Sequence, residues 1–556
     1  MDQVCQLRDA TLVKSHAGWI KIAAAVASGC IIALAFPGYD CPLLVWLGLM
    51  PLLAALWSTA GKRAGWKGFG LGYLAGLASG LIQCQWVGAV SWLGAILLPA
   101  YLAVYWGLFG LFAAKFGNPW SVRNRWGILT SAFLVGAVWA GTELLRGWVI
   151  TGFSWNVLGV AGGEMPLLAQ GADLFGVVGL SLVVVFFQAV MVQVMRNRQW
   201  LNLAGAVAII GLLAGYGGLR IHLENDKESI RVTTLLVQLN VPMEASRMLW
   251  TDVEMHQALE QETLDGLRTA KPFPDWVMWP ETALTGYILR TPDGAWATWE
   301  IAQETLAQVR TGGEFSLIYG ANEVEGEKFG DQLVMKPRGN NYNSLAIITP
   351  ANELQIYRKR HLVIFGETIP FIDSLPFLKR IYEQQAGAEY GGSFDAGESA
   401  EPIIMNVRGQ KIGAIPTICF EDSVPRLTRK FVRPGPQIIL NVTNDGWFKQ
   451  SAAADQHFRY ARFRAIELRR PMLRCANTGV SAAIDTTGST RHPDLSESQI
   501  LTDAKGSHFT RGSLLVALDV PLEPSFSLYA IIGDWGLIVI SSGAFLSATF
   551  HRKDTI

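Results

Sequence analysis

Charge is scarce in this chain. Its 556 residues carry 46 basic and 46 acidic side chains, 17% together, and a formal net charge of zero. A nucleic-acid partner therefore has no electrostatic support. Cysteine is sparse as well: six are scattered at positions 5, 30, 41, 84, 419 and 475. No Cys-x-x-Cys pair occurs, so neither a zinc site nor a disulfide framework is indicated. A Ser-His-Asp pattern, a phosphate-binding glycine loop and a metal-spaced histidine cluster are also missing, so no metal and no cofactor is predicted.

What is abundant is apolar. Half the residues are hydrophobic, with 57 Gly and 20 Trp, the profile of a membrane protein with a substantial soluble part. Acidic residues are few between 17 and 220, whereas 221–525 is rich in charge, proline and turn residues, and Phe526–Ser547 is again almost wholly apolar. This predicts an N-terminal transmembrane domain of seven helices over 1–220, a soluble domain over 221–525, and a terminal helix with a short tail over 526–556. About eight spans are expected, near 18–36, 42–60, 68–88, 90–114, 126–146, 172–195, 201–219 and 526–548. Lysine and arginine collect in alternate short loops: Lys62, Arg63 and Lys67, then Lys115, Arg123 and Arg125, then Arg196 and Arg198. The positive-inside rule puts these loops and both termini in the cytoplasm, with 221–525 on the other side, the periplasm of a bacterium. Glu143 and Arg146, one helical turn apart, read either as an ion pair finishing a helix or as a headgroup or domain-docking site. No symmetric interface motif is visible, so a monomer is expected.

In the soluble region, short β-rich runs alternate with helical pattern. Strands are expected at Ile230–Gln238, Trp276–Trp279, Phe315–Tyr319, Asn343–Ile348, Ile412–Ile418, Gln437–Val442, Met472–Ala476, Ala482–Asp485 and Ser513–Leu518. Helices are expected near 245–269, 296–311 and 452–469. The continuous apolar character of Ile412–Ile418 and Gln437–Val442 suggests strands covered on both faces, hence a layered α/β domain. The proline- and glycine-bearing segment 365–400 reads as a packed surface loop or as an apolar lid.

Cys419 leaves one of those strands directly into an acidic turn, Phe420-Glu421-Asp422. A thiol attacks a carbonyl as thiolate, so it needs a base or a positive charge nearby. Glu281, in Trp279-Pro280-Glu281-Thr282, suits the base. Lys359, in Tyr357-Arg358-Lys359, suits the oxyanion, although Arg358-Lys359-Arg360-His361 alone reads as a solvated basic run that does not single out Lys359. Glu367 suits orientation of the lysine, and Glu421 support of the cysteine turn. Cys475, inside a strand, reads as core.

Taken together, these residues resemble the carbon–nitrogen hydrolase (nitrilase) superfamily, and its apolipoprotein N-acyltransferase branch in particular. The resemblance covers nearly the whole chain. It includes Glu143-Leu-Leu-Arg146-Gly-Trp, Trp279-Pro-Glu281-Thr, Tyr357-Arg-Lys359, Leu362-Val-Ile-Phe-Gly-Glu367, Ile418-Cys419-Phe-Glu421, Asn441-Val-Thr-Asn-Asp-Gly-Trp447 and Asn477-Thr-Gly-Val-Ser481. It implies a membrane protein with an αββα nitrilase-like sandwich and a Glu281–Lys359–Cys419 triad, with Glu367, Glu421, Phe420 and Trp250 as auxiliary or substrate-binding residues. The implied reaction moves an acyl chain from the sn-1 position of a phospholipid, typically phosphatidylethanolamine, through a Cys419 thioester. The acceptor is the α-amino group of a diacylglyceryl-modified N-terminal cysteine of an apolipoprotein. The implied location is the bacterial inner membrane. A membrane-anchored nitrilase-type amidohydrolase is the alternative. Ile364 and Phe420 stand where the family usually has proline and tyrosine.

Overall fold

In the computed structural model the described residues are 2–120, 127–244, 247–369, 372, 377, 379–380, 383–384, 392–492, 494 and 498–553. The chain divides into two compact units, one of Met1–Gly88, Trp92–Ile221 and Ile532–Ile556, the other of Ala89–Ser91 and His222–Ile531.

The first unit is helical. Among the described residues four helices are long and apolar enough to cross a membrane: Gly94–Lys115, Ile128–Arg146, Ala172–Asn197 and Trp200–Asn225. The count of eight spans is therefore not reproduced, and the sequence contains the reasons. The stretch expected at 42–60 breaks into Pro42–Trp46 and Met50–Trp57, because Pro51 has no N–H to continue the helical ladder. Side chains from other helices take up the backbone groups freed there. Leu49 N donates to Gln188 Oε1 at 2.6 Å, Leu52 N to Ser28 Oγ at 2.8 Å, and Gln188 Nε2 to Val45 O at 2.9 Å, as an apolar surrounding demands. The last stretch breaks at Gly533, whose φ of 58° is left-handed, leaving the shorter apolar helix Trp535–Phe550. Glycine is frequent in Ala64–Gln83, which lowers its hydropathy but serves packing. A Cβ on Gly72 would lie 2.2 Å from the Trp106 carbonyl oxygen, and one on Gly68 would lie 2.3 Å from that of Gly110. The backbones of this helix and of Gly94–Lys115 thus touch, the small-residue mode of apolar helix pairing.

Glu143 and Arg146 are both buried and serve the chain that follows their helix. Glu143 Oε1 accepts from Trp139 Nε1 at 2.9 Å and from Leu158 N at 3.0 Å, while Arg146 Nη2 donates to Trp155 O at 2.8 Å. They tie the 147–158 segment back onto the helix end.

The second unit is a four-layer sandwich. Its larger sheet runs in the order Leu354–Arg358, Asn341–Ile348, Ser316–Phe329, Trp276–Met278, Ser229–Gln238, Gly512–Pro521. The smaller runs Ile403–Val407, Gln410–Ile418, Gln437–Thr443, Met472–Ala476, Ala482–Ile484. Period-two alternation builds the layers. Leu236, Met278, Ile318 and Leu345 of the larger sheet meet Ile415, Ile439, Val442 and Cys475 of the smaller in one core. Their strand neighbours Leu235, Val277, Leu317 and Ala346 face away, onto Met255, Leu259, Ala302 and Val309 of the helices Asp252–Thr269 and Glu300–Arg310. Ala461, Ala465 and Leu468 of the Ala453–Leu468 helix cover the smaller sheet. Each fully buried Leu or Ile contributes about 1.5–3 kcal/mol, and burial on both faces explains the uninterrupted apolar runs.

Strands at Tyr287–Arg290, Gln332–Met335, Leu354–Arg358 and Ile403–Val407 were not expected. The first three mix polar residues into an edge or hairpin position, which blurs the period-two signal. Most of 370–391, read from sequence as loop or lid, lies outside the described residues.

Candidate active site

Three strand ends deliver the central side chains. Cys419 follows Gln410–Ile418 directly, Lys359 follows Leu354–Arg358 directly, and Glu281 follows Trp276–Met278 after two residues. Pairing fixes them further. Lys359 N donates to Asn343 O at 2.8 Å, stitching the lysine to the neighbouring strand. Ala283 N donates to Gly320 O, and Gly320 N to Pro280 O, each at 3.0 Å. A Cβ on Gly320 would fall 2.5 Å from the Glu281 Cα, so only glycine lets the glutamate turn lie this close to the strand.

The carboxylates and the amine form one buried group. Lys359 Nζ donates to Glu367 Oε1 at 2.8 Å and lies 3.8 Å from Glu281 Oε1. Asn343 Nδ2 bridges the two acids, donating to Glu281 Oε1 at 2.8 Å and to Glu367 Oε1 at 2.7 Å. Val363 N donates to the other Glu367 oxygen at 2.9 Å, so Glu367 orients the lysine from a fixed backbone. Lys359 is 1% exposed. Its neighbours in the basic run are half-buried and engaged: Arg358 makes a two-point contact with buried Glu323, at 2.9 and 2.8 Å, and the Arg360 guanidinium lies over the Phe431 ring.

Glu421 joins the lysine strand to the cysteine turn. Its carboxylate accepts from Tyr357 Oη at 2.9 Å, Arg360 N at 2.8 Å, His361 N at 3.0 Å and Ile418 N at 2.9 Å. Cys419 itself has φ 50°, a left-handed conformation that costs a non-glycine residue about 1–3 kcal/mol and persists only when its surroundings impose it. The residue as a whole is partly exposed, while its thiol is withdrawn from water. The Phe420 ring stacks on His361, centroids 6.0 Å apart. Trp250 is half-buried against the outer core, with the Arg511 guanidinium 5.9 Å from its ring, and takes no part in the hydrogen bonds around Glu281 and Lys359.

The titrations are linked. Burial pushes the Cys419 thiol well up, and the negative charge of Glu281 pushes it further, while Lys359 pulls it down. Burial raises Glu281 too, against Lys359, with Glu367 adding to the rise and the Asn343 hydrogen bond opposing it. Burial works against the Lys359 ammonium, but Glu367 and Glu281 outweigh it and hold the charge above the ordinary lysine range. The thiol, the Glu281 carboxyl and the Lys359 ammonium thus act on one another's titration.

The profile described as "Apolipoprotein N-acyltransferase N-terminal domain" matches residues 28–190, and that described as "Carbon-nitrogen hydrolase" matches 237–507. A protein of Allorhizobium ampelinum named apolipoprotein N-acyltransferase is 33% identical over 497 residues, 85% of this chain and 87% of its own. The chain belongs to the apolipoprotein N-acyltransferase family. Relatives of the same name from Geobacter metallireducens and Shewanella oneidensis are 29% and 27% identical, over 84% and 97% of this chain and 85% and 97% of their own. It is accordingly a membrane protein of the acyltransferase class carrying a carbon–nitrogen hydrolase domain.

Two groups at this site escape sequence reasoning. Asn343 sits mid-strand with no local signal. A set of fully buried charges, Asp422, Asp445, His457 and Arg474, lies behind the cysteine turn. Asp422 was signalled by its proximity to Cys419 and Asp445 by its place in Asn441-Val-Thr-Asn-Asp-Gly-Trp447, while His457 and Arg474 carried no signal.

Proposed function

We propose that this protein transfers an acyl chain from a phospholipid to the α-amino group of an N-terminal diacylglyceryl-cysteine of an apolipoprotein, through a thioester on Cys419. The observation that carries this reading is the meeting of Glu281, Lys359 and Glu367 around one buried ammonium, at the strand-end face that also bears Cys419. Glu281 takes the thiol proton, and Cys419 sulfur forms a bond to the sn-1 ester carbonyl. Lys359 holds the oxygen that becomes negative, a role typically worth about 10²–10³ in rate. The ester C–O bond breaks, and the lysophospholipid leaves with the proton from Glu281. In the second half the acceptor amine gives a proton to Glu281 and forms the amide, the C–S bond breaks, and the thiol recovers that proton. Phosphatidylethanolamine is the expected donor.

The charge pattern of the loops supports placing the soluble unit in the periplasm and both termini in the cytoplasm of a bacterial inner-membrane protein, with domain limits at 1–220, 221–525 and 526–556. Among the auxiliary residues, Phe420 and Trp250 are proposed to line the path of the lipid substrates, and Glu367 and Glu421 to position Lys359 and the cysteine turn.

The test incubates purified protein with phospholipid and then with a synthetic diacylated lipopeptide, and reads the lipopeptide by mass. The account expects an added acyl chain with the wild type and none with Cys419→Ala. Release of free fatty acid with an unmodified lipopeptide would instead assign a membrane-anchored amidohydrolase.

A further inference from the structure

The apolar smaller sheet carries one polar row across three parallel strands, Thr417 beside Asn441 beside Arg474. All three side chains are fully buried. Arg474 Nη1 donates to Asn441 Oδ1 at 2.9 Å. Asn441 Nδ2 in turn donates to Thr417 Oγ1 at 3.1 Å and to the carbonyl oxygen of Cys419 at 3.3 Å. The row therefore ends on the backbone of the nucleophile.

A charge cluster is built around the other end of Arg474. Its Nη2 donates to Asp445 Oδ2 at 3.1 Å, and its Nη1 pairs with Asp422 Oδ2. Asp422 belongs to the same turn as Cys419. His457, from the covering helix, lies between the two acids: Nδ1 is 2.7 Å from Asp445 Oδ1 and Nε2 is 2.8 Å from Asp422 Oδ1. Arg474 Nη2 also approaches Nδ1, at 3.0 Å. Donation from both ring nitrogens to the two carboxylates is the imidazolium arrangement; burial opposes that charged form, and Asp422 leads the groups that favour it. The cluster is then two cations and two anions, fully out of water, where losing one partner leaves an uncompensated buried charge.

We propose that His457 is a positioning residue whose positive charge, through Asp422 and Asp445, fixes the nucleophile turn and keeps the Cys419 thiolate attainable. Asp422, Asp445 and Arg474 meet His457, and buried Arg464 of the same helix, paired with Glu467, adds its charge near Asp422. Asp445 acts on the Cys419 thiol directly, raising it, and is itself neutralised by His457 and Arg474. Without the imidazolium the cluster carries a net negative charge behind the sulfur. This rests on the reading of Cys419 as the nucleophile but not on the identity of its acyl donor or acceptor.

The test measures the rate of Cys419 alkylation by iodoacetamide against pH in full-length protein, with adducts mapped by peptide mass. His457→Gln is expected to move the apparent thiol pKa up by at least half a unit. Asp445→Asn is expected to move it down, and the double variant to return it near the wild-type value. In parallel, His457→Gln is expected to slow acyl-enzyme formation from phospholipid at least tenfold at saturation, through kcat rather than KM. Cancelling shifts of opposite sign report charge, which a folding defect does not produce. If His457→Gln does not fold alone, the difference in thiol pKa between Asp445→Asn and the double variant isolates the contribution of the His457 charge. Unmoved or same-sign profiles overturn the proposal even where acyl transfer is confirmed. The predicted shifts in a protein that never acylates lipopeptide would leave this inference standing and remove the function proposed above.

Discussion

At the residue scale, the site depends on groups that share protons and donors rather than on three independent side chains. Asn343 is the clearest case, because one amide nitrogen serves Glu281 and Glu367 at once. Glu281 acts as a base only when ionised, and its carboxyl is raised by burial. The acid limb of kcat/KM is therefore expected above the ordinary glutamate value of about 4.3. The Asn343 hydrogen bond lowers Glu281, so Asn343→Ala should shift that limb further up and reduce the neutral-pH rate by roughly 10–100-fold; a pH–rate profile of both proteins checks this. A limb that stays in place would mean that Asn343 does not tune the base. Glu421→Gln keeps one acceptor oxygen and puts an amide donor in place of the other, against Arg360 N and His361 N at the Oε1 position or against Ile418 N at the Oε2 position. It is expected to cost about 1–3 kcal/mol for each donor left unsatisfied, read as a lower midpoint of thermal unfolding in detergent. Cys419 and Glu281 were legible in the sequence because each sits where an apolar run meets a polar turn, whereas Lys359 was picked out of its basic run only by the family resemblance. Asn343, His457 and Arg474 were not, since a polar residue inside a strand or helix announces nothing about partners that lie 12 to 62 residues away.

At the scale of elements, close backbone approach does work that no side chain reveals. Gly320→Ala would put a Cβ 2.5 Å from the Glu281 Cα, so that turn must move. Because a misplacement of about 1 Å can cost 10²-fold, a rate loss of that order is expected, with a stability cost of about 1–3 kcal/mol from the overpacking. Gly72→Leu places its first side-chain atom against the Trp106 carbonyl oxygen and is expected to separate the Ala64–Gln83 and Gly94–Lys115 helices, seen as a lowered unfolding midpoint. The alternating strands of the sandwich were readable because both faces are buried and the runs are continuous. The spans were harder to read. Pro51 and Gly533 break two apolar stretches whose composition looks uninterrupted, and Gln188 and Ser28 complete the first of these breaks from distant helices. His457 also stabilises its elements in a pH-dependent way. Its cluster raises it from 6.5 to about 9, burial opposing and Asp422 first among the groups that prevail. A raised folded-state value means that this stabilisation is complete below about 6.5 and is lost as pH climbs through about 9. Unfolding midpoints should therefore decline over that window in the wild type and much less in His457→Gln.

At the scale of the whole molecule, composition alone separated an apolar first part from a charged second one. Its loop charges predict the side of the membrane on which each terminus lies. A reporter fused at the C-terminus is expected to behave as cytoplasmic, and activity of a periplasmic reporter there would reverse the orientation. The chemistry proposed for the second unit requires that one sulfur carry the acyl chain between two lipids. The most direct measurement is to trap the protein after exposure to phospholipid alone and locate the added mass by peptide mapping. The account predicts a single hydroxylamine-labile acyl group on the peptide containing Cys419, formed by the wild type and discharged by diacylated lipopeptide. An acyl group on any other residue, or lipopeptide acylation that continues in Cys419→Ala, would contradict it.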